Sequence, residues 1–156
     1  MKFRNRFWHG ITLAMVSLMA VACAQKAQTG PEIIVYKSAS CSCCAQWASY
    51  VWDNGFRVTI RAVNDVDSVR QQFGVPARLG ACHIAQVGGY TVVGHVPVAD
   101  IERLLKEHPV IAGLAVPGMP VGSPGMERGT SRAAYDVMMF DAHGQTSVYQ
   151  SYAATP

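Results

Sequence analysis

The chain is poor in charge and has few stretches that are apolar for long. Only 15% of its 156 residues are Asp, Glu, Lys or Arg, and half are apolar, the balance of a globular domain rather than of a disordered chain. The length fits one domain. No glycine-rich loop follows a strand-like run, so a phosphate cradle has no support. Asp53, Asp65, Asp67 and Glu102 form no pair that resembles a catalytic carboxylate dyad. No internal repeat is present.

The apparent excess of basic residues is not a property of the domain either. Lys2, Arg4 and Arg6 precede the apolar run ITLAMVSLMAVA, too short to span a bilayer comfortably but of the length of a signal-peptide core. Residues 1–24 therefore read as a secretion signal. Ala22-Cys23-Ala24 suits an ordinary signal peptidase, whereas Ala20 to Cys23 approximates a lipobox, with Ala20 where a bulkier aliphatic residue is usual; in that case the signal is residues 1–22 and Cys23 carries a lipid. Soluble export is expected ahead of lipid anchoring. Without those three basic residues, ten remain against ten acidic ones, and nucleic-acid binding loses its main support.

Residues 25–31 read as a polar linker and residues 32–152 as a single domain. Glu32 to Tyr36 is a β-branched, aromatic run expected to form a buried strand. A helix follows, capped by Ser40 or Ser42, with Trp47, Tyr50 and Val51 as core and Asn54-Gly55 as its stop. Phe56 to Val63 alternates like a strand with one solvated face, and Asp65 to Phe73 is helical. Ala81 to Val87 and Tyr90 to Val96 form a hairpin about Gly88-Gly89. Pro97 to His108 is a helix, with Pro97 in its first turn. Gly113 to Thr130 is dense in Gly and Pro without a period, a length of loop that an ordered domain seldom keeps without use. A second hairpin is expected from Tyr135 to Asp141 and Thr146 to Tyr152. The βαβα order favours an α/β class.

Cysteine is scarce overall and crowded where it occurs. Cys41, Cys43 and Cys44 lie within four positions, and only Cys82 is found downstream. An exported chain permits disulfides, and four cysteines allow two bridges in three connectivities. Cys41 and Cys44 have C-x-x-C spacing at a helix start, where the helix dipole favours thiolate, which makes them the redox candidates. Cys43 bridges its neighbour Cys44 only with strain, so Cys82 is its natural partner. Two permanent staples would explain the count, but a Cys41–Cys44 bridge closes a very short loop and gains little as a staple. Thiolates gathered in one place suit Cu(I) or Zn(II).

Strand, cysteine turn, helix, strand, helix, Val75-Pro76, hairpin and helix together resemble the thioredoxin fold, with Val75-Pro76 about where that fold has a cis-proline. The motifs SCSCC, GACH at Gly80 to His83, GHVP at Gly94 to Pro97 and IAGLAVPGMPVGSPGME resemble the CopG-type family of predicted metal-binding periplasmic proteins associated with copper resistance, over about Ile33 to Tyr149. Ser42 stands where relatives often have Gly. The resemblance implies a thioredoxin-like mixed sheet with flanking helices, a periplasmic location and copper, as Cu(I), as the metal, with zinc as the other candidate. It implies Cys41, Cys43, Cys44 and Cys82 as metal ligands. His83, Met119, Met126 and His95 are further candidates, His83 favoured over His95 by its place next to Cys82. His108 and His143 read as surface residues, Met138 and Met139 as part of a strand. The expected activity is copper capture gated by thiol or disulfide state, and the competing one is thiol-disulfide exchange on periplasmic copper proteins, with Cys41 or Cys44 as nucleophile. No catalytic residue beyond these is assigned. The expected partners are copper ions and other copper-handling proteins, with no nucleic acid and no membrane contact except through a lipid on Cys23.

Overall fold

The computed structural model describes residues 28–156; the leader, its cleavage sites and Cys23 lie outside the described residues. Among those residues no helix is long and apolar enough to cross a membrane. Seven strands form one mixed sheet. The first four are β1 (Glu32–Lys37), β2 (Arg57–Ala62), β3 (His83–Val87) and β4 (Tyr90–Val93), followed by β5 (Gly113–Ala115), β6 (Tyr135–Phe140) and β7 (Thr146–Tyr152). Their order across the sheet is β2-β1-β3-β4-β5-β6-β7. The helices are α1 (Ser42–Asp53), α2 (Val66–Gln72) and α3 (Val98–Glu107). The first four strands with their helices follow the thioredoxin-like order, and the last three strands extend that sheet.

Alternation along the central strands divides the core into two layers. Val35, Ala85, Val92 and Leu114 pack on one face with Trp47 and Val51 of α1 and Ile101 and Leu104 of α3. Ile84, Val93 and Ala115 point to the other face, where Val75, Leu79 and Phe140 meet Val66, Val69 and Phe73. Neighbouring residues such as Ile84 and Ala85 are both completely buried, as expected of a strand covered on both faces. Burial spaced at Cys44, Trp47, Ala48 and Val51 fixes which side of α1 faces the sheet.

Register and direction bring distant pieces of chain to one end. β1 and β3 are antiparallel with Lys37 opposite His83, so the segment leaving β1 and the segment entering β3 meet at the same edge. β4 runs antiparallel to β3, and β5 is parallel to β4, so the chain leaving both strands emerges there too. The cysteine turn, Cys82, His95 and the Gly/Pro loop are thereby assembled at a single end of the sheet by strand direction alone.

The structure departs from the sequence reading in four places. The cap of α1 is Cys41, not Ser40 or Ser42: its side chain accepts from the Cys44 N–H. Pro97 is the cap of α3 rather than part of its first turn. Gly113–Ala115, read as loop, is a strand paired with β4 and β6; a Cβ at Gly113 would run into the Thr91 carbonyl, so glycine is what permits the pairing. The bond between Val75 and Pro76 is trans, since the described residues contain no cis peptide.

Candidate metal centre

Cys41 sits where β1 has ended and α1 begins. The turn is closed by the Cys41 N–H donating to the Ser38 carbonyl at 3.1 Å, and the Cys44 N–H donates back to Cys41 Sγ at 3.3 Å, taking up one of the helix's unpaired N-terminal donors. Cys41 is disulfide-bonded to Cys44, with Cα atoms 5.5 Å apart. Cys44 is fully buried, its sulfur 3.4 Å from the Cys82 carbonyl oxygen. Cys43 and Cys82 are free thiols.

Cys43 is the hub of the sulfur group. Its Sγ lies 3.5 Å from Cys41 Sγ, 3.8 Å from Cys82 Sγ and 3.9 Å from Met119 Sδ. Cys82 links this group to nitrogen: its Sγ is 3.6 Å from His83 Nδ1 and 3.5 Å from His95 Nε2. The ligand atoms of Cys41, Cys43, Cys44 and Cys82 all lie within 4.8 Å of one another, and so do those of Cys82, His83 and His95. Two soft donor groups therefore meet at the Cys82 sulfur, a set suited to a thiophilic cation.

The histidines are held ready by different means. His95 Nδ1 is 2.7 Å from the Pro124 carbonyl, which places the proton on Nδ1 and turns the Nε2 lone pair toward Cys82, the arrangement by which an outer hydrogen bond orients a ligating imidazole. Burial lowers the pKa of His95, against the opposing effect of that carbonyl. His83 is completely buried, packed against the Trp47 ring at 4.4 Å between centroids, and its Nε2 has no hydrogen-bond partner. Burial, then the neighbouring His95, brings its pKa down to about 3. Both rings thus favour the neutral form that metals need. Cys82 behaves oppositely: burial, reinforced by Cys43, pushes its thiol up to about 12, so it stays protonated until a cation displaces the proton.

All four sequence-predicted cysteines come together, and so do His83, His95 and Met119. Cys82 and His83, neighbours in sequence, reach the same spot because Cys82 lies in a bend just before β3 begins. His95, which could have fallen at either end of the sheet, is directed inward by Gly94, whose φ of +69° turns the chain as it leaves β4. Met119 is half exposed at the rim. Met126 contributes its backbone to a loop turn, donating to the Ser123 carbonyl and accepting from Gly122 N–H. Sequence reasoning had no signal for the Pro124 carbonyl, a backbone group in a stretch without periodicity.

The loop carrying Pro124 is seated by Gly125, at φ +80°, where an added Cβ would approach Trp47 N to 2.7 Å. Gly125→Ala is expected to cost about 1–3 kcal/mol by overpacking against helix backbone and to loosen the hold on His95. Urea unfolding would register the loss, and an unchanged midpoint would contradict this seating.

Residues 79–126 match a family described as "Protein of unknown function, DUF411". The match spans Cys82, His83, His95, Met119 and Met126 but starts after the CSCC turn. No curated protein matches the chain. Two solved structures are similar: "Copper resistance protein copG- Form 2", 44% identical, with a TM-score of 0.75, covering 78% of this chain and 98% of that one, and "Copper resistance protein copG- Form 1", also 44% identical with a TM-score of 0.75, covering 80% and 99%. At that identity over nearly the whole length of the relatives, on a shared fold, the chain belongs to the CopG copper resistance protein family.

Proposed function

We propose that this is an exported protein that captures Cu(I) in the periplasm through the pocket of Cys43, Cys82, His83 and His95, in copper resistance or homeostasis. The observation that carries this reading is the meeting of two free thiols, two neutral imidazoles and the Met119 thioether within contact distance beside a reducible disulfide. Soft sulfur selects Cu(I) among the cations available outside the cytoplasm, and the copper-resistance relatives support the choice over zinc. Secretion rests on the leader, and the intact mass of protein recovered from the periplasm tests it.

Redox state sets how many thiolates are on offer. With Cys41 and Cys44 bridged, the pocket holds two thiols; reduction adds two more within the same 4.8 Å group. Because Cys82 belongs to both donor groups, its sulfur can bridge ions, and the reduced pocket accommodates more than one. Titration with Cu(I) under anaerobic conditions should therefore give higher stoichiometry and tighter binding for reduced protein than for the disulfide form. Equal uptake by both forms contradicts the gating.

A second reading is favoured by one feature of the turn: Cys41 is partly exposed at the helix N-terminus while Cys44 is fully buried, the asymmetry of a dithiol whose outer member attacks and whose inner member resolves. On this reading the protein exchanges disulfides with copper-handling partners. The Cys82 substitution considered in the Discussion separates the two.

A further inference from the structure

Lys37 closes β1 with 6% of its surface exposed. It shares a face with Ile33 and Val35, the face that α1 covers, and stands opposite His83 in the sheet. Its ammonium donates to the Ser38 carbonyl at 2.8 Å and to the Ala39 carbonyl at 3.4 Å. Those carbonyls belong to the turn that presents Cys41, and Ser38 O also accepts the Cys41 N–H. The two ion pairs among the described residues, Arg70–Asp67 and Arg103–Asp100, do not include it.

An ammonium buried without a counter-charge is costly. The amino end of α1, toward which this turn leads, makes the position worse, because a helix N-terminus is itself partly positive. The groups next to this turn are a disulfide, thiols and imidazoles, and the Lys37 charge is felt at His83; the Glu127 carboxylate acts on the pocket from the His95 side, where it accepts from the Gly125 N–H. An anionic, metal-loaded pocket compensates the buried ammonium. One Cu(I) between two thiolates carries net negative charge, whereas one Zn(II) between the same two thiolates is neutral.

Resting on the copper reading, we propose that Lys37 is the fixed counter-cation of the loaded pocket, and that its charge biases the site toward monovalent copper over divalent zinc. Lys37 touches the turn rather than the ion, so it acts as a positioning and electrostatic residue. No bond is made or broken by it; the thiol protons leave to solvent as the cation enters.

The experiment is a pair of anaerobic competition titrations on the disulfide form of the leader-free chain, with Cu(I) and separately with Zn(II), for wild type, Lys37→Gln and Lys37→Arg. Gln keeps a hydrogen-bond donor without the charge; Arg keeps the charge. The expected result is a loss of Cu(I) affinity of roughly 10–100-fold in Lys37→Gln, the range for outer groups that support a metal site. The loss for Zn(II) should be several-fold smaller, and Lys37→Arg should stay within about threefold of wild type. An equal loss for both metals would assign the ammonium to holding the turn and overturn the proposal, as would no loss at all. Lys37→Met serves as a second uncharged variant, and failure of both uncharged variants to fold also overturns it. A wild type that takes up no Cu(I) removes the copper reading and this inference together, whereas wild-type binding with an unchanged Lys37→Gln removes the inference alone.

Discussion

Serine in place of Cys82 is expected to lower Cu(I) affinity by on the order of 10²–10³-fold, one ligand's share of the binding free energy of a four-ligand site. The size follows from position. Cys82 is the one residue that belongs to both donor groups; without its sulfur, Cys43 keeps only sulfur neighbours and the imidazoles lose the thiol between them. Ser is smaller and keeps a polar hydroxyl facing His95, so stability should change little. Isothermal competition with a Cu(I) chelator measures the affinity, and a disulfide-exchange assay on the same variant reads the competing activity. Exchange through Cys41 and Cys44 does not need Cys82. A variant that binds copper within threefold of wild type would sink the shared pocket; one that loses copper yet still turns over disulfides would establish exchange as a separate activity.

Acid should destabilise the metal-free protein through His83. Its pKa is about 3 in the folded chain against 6.5 ordinarily, so between those values the unfolded chain binds more protons than the folded one. The stabilisation from keeping this ring neutral is therefore complete above about pH 6.5 and is lost as pH falls toward 3, at up to about 1.4 kcal/mol for each pH unit in that window. Asp100 acts with the opposite sign, because burial raises its pKa. Comparing wild type with His83→Gln isolates the histidine: urea midpoints at several pH values between 7.5 and 4 should fall more steeply for wild type. Parallel slopes would mean that His83 takes up a proton without unfolding the chain, and that its burial is less complete than the packing against Trp47 implies.

The parts of this molecule that were readable in advance are those governed by local chemistry. Gly88-Gly89 announced the hairpin of β3 and β4, both at positive φ. Asn54-Gly55 marked the end of α1, with Asn54 as its cap, and Asp65 opened α2 as its cap. The crowding of Cys41, Cys43 and Cys44 pointed to a sulfur centre, because no core needs three thiols in one turn. What stayed hidden depends on contacts far apart in sequence. β5 is three residues of Gly, Leu and Ala, with no strand pattern of its own; it is a strand because β4 and β6 supply hydrogen bonds on both sides, the usual way context overrides propensity. Which end of the sheet His95 occupies depends on the turn at Gly94, and its tautomer on the Pro124 carbonyl from the other side of the loop. Spacing makes Cys82 the natural partner of Cys43, yet the two are free thiols with their sulfurs 3.8 Å apart, and the bridge that forms is Cys41–Cys44. Ser42, where relatives often have Gly, proves to be an ordinary exposed residue in the first turn of α1.

The gradient of exposure across the pocket runs from Met119, half open to solvent, through the partly covered Cys43 and Cys82, to His83, sealed beneath Trp47. An arriving ion meets a neutral thioether first, then thiols, and imidazole only at the bottom. On the copper reading, how deeply an ion settles then depends on how many protons the sulfurs have released.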